Sequence, residues 1–157
     1  MIKIEKVLEN PLNIKPLEEV READKTLIKL IPFDLSNEKV YEIQLSNPFR
    51  YGDGDHLALF LLYSDSKMVI YDKATVFGHL LDMYGDDFQG YPSKRFRQDI
   101  SKKDYCYYFH GILMEYGISL TDEVLLYKKI DNYNSIGEFI QGIVELLTVI
   151  EYIVNSN

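Results

Sequence analysis

Two aspartates, a histidine and two glycines crowd the segment YGDGDH, Tyr51 to His56, and a third aspartate, Asp72, follows the next two apolar segments. If a hairpin folds the chain between them, Asp53, Asp55 and Asp72 meet at one end of a sheet. They would then offer the oxygen ligands that suit Mg²⁺. With Lys73 alongside, the set resembles that of a divalent-metal-dependent nuclease or hydrolase, which is the alternative function for this chain. The spacing argues against it. Such nucleases place an acid and a lysine two apart on one strand, whereas the adjacent Asp72 and Lys73 point to opposite faces. Glycine supplying positive φ and aspartate bonding its own backbone are also what a turn into a strand requires. The expectation is therefore a turn, with no metal bound and no catalytic residue.

Other chemistry finds less support. His56, His79 and His110 fall on one predicted strand and two predicted helices, where a histidine beside aromatic residues is a satisfied residue at the core edge. Cys106 and His110 stand four apart, which is one pair and not the four ligands of a structural zinc site. Cys106 lies in an aromatic helix stripe, where a thiol is inert. There is no G-x-S-x-G nucleophile elbow and no glycine-rich phosphate loop, so no cofactor is expected.

A net charge of −8 and a pI near 4.9 work against nucleic acid and anionic lipid, which are bound by neutralising phosphate, and favour a basic protein partner. One positive island interrupts this: Lys94, Arg95, Arg97, Lys102 and Lys103, with Tyr91 just before them, in a polar loop longer than most connections. These six residues are the candidate partner-binding surface. A single cysteine excludes an intrachain disulfide, no run of about 18 apolar residues exists to span a bilayer, and a cytoplasmic location is expected.

The elements that must position these residues read as one α+β domain over 36–157, preceded by an appendage at 1–35. Val40–Leu45 alternates as a half-buried strand. His56–Tyr63 is apolar on both faces, as in the middle of a sheet covered on both sides. Met68–Tyr71 returns as its hairpin partner. Helical spacing follows at Ala74–Tyr84 and at Lys103–Tyr116, closed by Gly85 and Gly117. Ser101 and Asp104 are spaced as a cap for the second helix. Ile118–Ile130 reads as one or two strands. In the last segment Ser135 and Glu138 are spaced as a capping box. Behind them Ile136, Phe139, Ile140, Ile143, Leu147, Ile150 and Val154 form one wide apolar stripe. The expected architecture is an antiparallel sheet of three to five strands packed by about three helices, with the last helix central.

Several segments in this order resemble domain of unknown function 1828, a family of short prokaryotic and phage proteins. They are SNPF (Ser46 to Phe49), DGDHLALFLLY (Asp53 to Tyr63), VIYDKATVFGHLLDMYG (Val69 to Gly85), PSKR (Pro92 to Arg95) and ILMEYGISL (Ile112 to Leu120). Where the family commonly carries a T-D-D-G-like turn, this chain has Tyr71-Asp72-Lys73-Ala74. The resemblance implies a bacterial, phage or mobile-element setting and carries no established activity. Together these observations describe a non-enzymatic acidic binding module that engages a macromolecular, expectedly protein, partner. A phage inhibitor of host defence is one concrete form.

Overall fold

The computed structural model describes residues 18–20, 22–32, 39–64, 67–84, 104–121, 125–132 and 134–155. In chain order they form β1 (Glu18–Glu19), α1 (Glu22–Ile28), β2 (Tyr41–Leu45), β3 (Leu59–Tyr63), β4 (Met68–Tyr71), α2 (Thr75–Tyr84), α3 (Asp104–Glu115), β5 (Ser119–Leu120), β6 (Leu126–Lys129) and α4 (Asn134–Asn155). The strands make one antiparallel sheet in the order β1-β2-β3-β4-β6-β5. The α+β class and the antiparallel sheet are as expected. β5 and β6 are the two strands read within Ile118–Ile130, and the two-residue edge strand β1 brings the sheet to six, because so short a strand has no alternation to read. The three long helices are joined by the seven-residue α1.

The alternation in β3 decides the layering. Leu59 and Leu61 point into a core shared with α2, α3 and α4, while Phe60 and Leu62 point into a second core on the opposite face. That second face is covered from the N-terminal side: Val20, Ile28 and Ile31 are buried against Leu62, Val69 and Tyr71. The described part of the segment preceding residue 36 thus supplies both an edge strand and a lid to the sheet. α4 is central, with Phe139, Ile143, Leu146 and Ile150 all fully buried. Leu146 joins the expected stripe, and the side chain of Val154 lies outside the described residues.

Helix ends show where local signals hold and where they do not. Gly117 closes α3 at φ +63, with Gly117 N–H donating to the Met114 carbonyl (3.1 Å) and Ile118 N–H to that of Leu113 (2.8 Å). This is the two-bond termination that glycine favours. The capping box at Ser135 does not form. Asn132 Oδ1 instead accepts the Asn134 N–H at 2.9 Å, Ser135 Oγ turns back to the Asp131 and Asn132 amides, and the Glu138 carboxylate pairs with Lys128 at 3.3 Å. The helix starts two residues earlier than the box requires, and a cap works only at its own position. Ser101 and Gly85 lie outside the described residues.

Candidate functional site

The Tyr51–His56 turn is built by short-range bonds. Asp53 Oδ1 accepts the Asp55 N–H at 3.0 Å, Tyr51 N–H donates to the Asp55 carbonyl at 2.8 Å, and Gly54 sits at φ +90. An aspartate closing a turn two residues on, around a glycine with positive φ, is the structural role expected for these residues. Arg50 holds the outside of the turn, donating from Nη1 to the Gly54 carbonyl at 2.9 Å. The Arg50 and His56 backbones then meet in an antiparallel bridge, so His56 sits in the approach to β3, exposed and ahead of the strand proper.

The fold adds one residue that spacing could not. His79, on the second turn of α2, places Nε2 at 2.8 Å from Asp53 Oδ2 and 3.6 Å from Asp55 Oδ2. The hydrogen bonds to the Asp55 amide and to His79 hold the Asp53 carboxyl below its ordinary value. Behind the imidazole lies the ring of Tyr51, 4.0 Å away between centroids and tilted by 34°. Tyr51 is buried, and burial with the neighbouring Asp72 pushes its pKa far up. The wall of the site is thus an aromatic ring with a fixed position. His79 was expected as a satisfied core-edge residue. It is half-buried and bonded, and its partners are the two aspartates of the turn.

Asp72 does not join them, which corrects the three-aspartate grouping. Its carboxylate is fully buried and accepts three backbone N–H bonds, from Ala74 (2.9 Å), Val76 (3.0 Å) and Leu126 (2.9 Å). It caps the N-terminus of α2 and ties that helix to β6. Burial raises its pKa to about 6, against the downward pull of those amides. Asp72 and Lys73 part to opposite sides, as adjacency requires. Lys73 Nζ bonds Glu42 Oε2 at 2.6 Å and Asp24 Oδ2 at 3.2 Å and lies 4.1 Å over the Phe60 ring. Tyr71 donates to the other oxygen of Glu42 at 2.6 Å. This network fastens α1 to the second face of the sheet, and every charge in it already has a partner. The turn is bent hard: Lys73 and Ala74 have φ of 55 and 60.

One further carboxylate reaches the turn and another stands exposed on α2. Asp82 is exposed on α2 one turn beyond His79, and a Cβ on Gly52 would meet Glu151 Oε1 of α4 at 2.8 Å. Sequence spacing gave no sign of Asp82 or Glu151, because α2 and α4 meet the turn only after the helices pack. Tyr91, Lys94, Arg95, Arg97, Lys102 and Lys103 all lie outside the described residues, so the positive island has no structural account. Among the described residues no helix is long and apolar enough to cross a membrane. Comparison with protein-family models, with curated proteins and with solved structures gives no match. The resemblance to the 1828 family rests on the quoted segments alone.

Proposed function

We propose that the protein is a non-enzymatic binding module that engages a basic protein partner. Its contact surface is the end of the domain built by the Tyr51–His56 turn, the exposed side of α2 and the last turns of α4. One observation carries this proposal: Asp53 and Asp55 of the turn and Glu151 of α4 meet there, with Asp82 exposed on α2, on a protein of net charge −8. Carboxylates gathered on one surface speed and orient the approach of a cationic partner and repel nucleic acid. The resemblance supports a bacterial, phage or mobile-element setting, in which an inhibitor of host defence is one form such a module takes. The hydrolase alternative would have to act without Asp72, which is engaged in capping α2.

The test is capture from a lysate of the source organism, scored by charge. A partner held by the wild type should be released as salt rises and should be lost from the double variant Asp53→Lys, Asp82→Lys. It should be kept by Lys29→Glu with Lys39→Glu, which alters exposed charge elsewhere. Capture indifferent to Asp53 and Asp82, or abolished by Lys94→Ala with Arg95→Ala, would move the contact to the Tyr91–Lys103 loop.

A further inference from the structure

Two of the carboxylates on that surface, Asp53 and Asp55, also form a donor set with His79. Among the described residues they are the group of three His, Cys or carboxylate side chains whose ligand atoms all lie within 4.8 Å of one another. A tetrahedral ion with ligands at about 2.0–2.2 Å holds neighbouring donor atoms roughly 3.4 Å apart. The two imidazole-to-carboxylate spacings, 2.8 and 3.6 Å, fall on either side of that value. Adjustments of under about 1 Å in side-chain position would seat an ion, and such shifts are within ordinary torsional freedom for exposed aspartates.

Each donor is already directed. The Asp55 amide occupies Asp53 Oδ1 and leaves Oδ2 facing the histidine. The Tyr51 ring packs on the imidazole and restrains its turning away, an orientation that does not depend on the carboxylates. Asp55 is exposed to 70% and Asp53 to 39%, so solvent reaches the far side. An imidazole nitrogen in the set selects the borderline first-row ions over Mg²⁺, which prefers an all-oxygen shell.

We propose that Asp53, Asp55 and His79 bind a first-row divalent ion of the Zn²⁺ or Co²⁺ kind, with the remaining coordination position open to water. The inference is independent of the protein partner: the site can bind an ion whether or not that surface docks a protein. Three protein ligands with an open position resemble exchangeable or catalytic sites more than closed structural ones.

Untagged full chain is titrated with Co²⁺, followed by its visible absorption, and with Zn²⁺ and Mg²⁺ by calorimetry. One equivalent of Co²⁺ or Zn²⁺ should bind and Mg²⁺ should give no heat. His79→Gln and Asp55→Asn should each weaken binding by about tenfold or more, the scale on which even outer-shell changes act. Cys106→Ser, His56→Gln and His110→Gln should leave it unchanged. Asp55 is exposed enough that its variant serves even if His79→Gln fails to fold. Absence of stoichiometric binding, or binding that survives both His79→Gln and Asp55→Asn, would overturn the assignment.

Discussion

Asp72→Asn removes a charge from the interior while keeping the shape of the side chain, and its effect should depend on pH in a defined direction. The carboxylate is fully buried, and its pKa is raised from the ordinary 3.8 to about 6. The folded state therefore holds this proton more tightly than the unfolded chain. Stability from protonation is fully present below pH 3.8 and is lost as pH rises through about 6. Over the whole window the shift corresponds to about 3 kcal/mol, at 1.36 kcal/mol per unit, and between pH 5 and pH 7 to about 1 kcal/mol. At pH 7 the ionised group still accepts three amide bonds. The asparagine can keep those to Ala74 and Leu126 on one oxygen, but its NH₂ then faces the Val76 N–H, at a cost of about 2 kcal/mol. Urea unfolding of both proteins at pH 5 and pH 7 separates the two effects. The difference in stability between wild type and variant should favour wild type by about 1 kcal/mol more at pH 5 than at pH 7. A difference that is the same at both pH values, or larger at pH 7, would refute the raised pKa and leave Asp72 as an ordinary ionised cap.

Ile143→Asp puts an unpaired carboxylate at a fully buried position of α4, and it should abolish folding, read as loss of cooperative urea unfolding and of near-ultraviolet circular dichroism. Soluble, cooperatively unfolding protein would place α4 outside the core. Ala74→Gly relieves an L-residue held at φ 60, a conformation that disfavours it by roughly 1 kcal/mol or more. Against the greater unfolded-state freedom of glycine, the net gain should be about 0.5 kcal/mol, visible as a higher urea midpoint.

The order and type of the main elements were legible in the sequence because each follows a local period. β3 declares itself by being apolar on both faces, α4 by its stripe, and α3 by Gly117, whose φ of +63 only glycine adopts at little strain. The turn role of Asp53 and Gly54 was equally local, since its bonds span two residues. The site was not. His79 meets Asp53 across 26 positions, Lys73 meets Asp24 and Glu42 across 49 and 31, and Asp72 meets Leu126 across 54. No period links such residues, because their meeting is set by which helix face packs against which strand end. Composition could say that acids and a lysine were present near one sheet end. Only packing sent Asp72 inward to cap α2, Lys73 to the second face beneath α1, and His79 outward to the two aspartates. The pairing follows from burial: a carboxylate with no water left around it must take backbone amides, whereas one at the surface is free to face an imidazole.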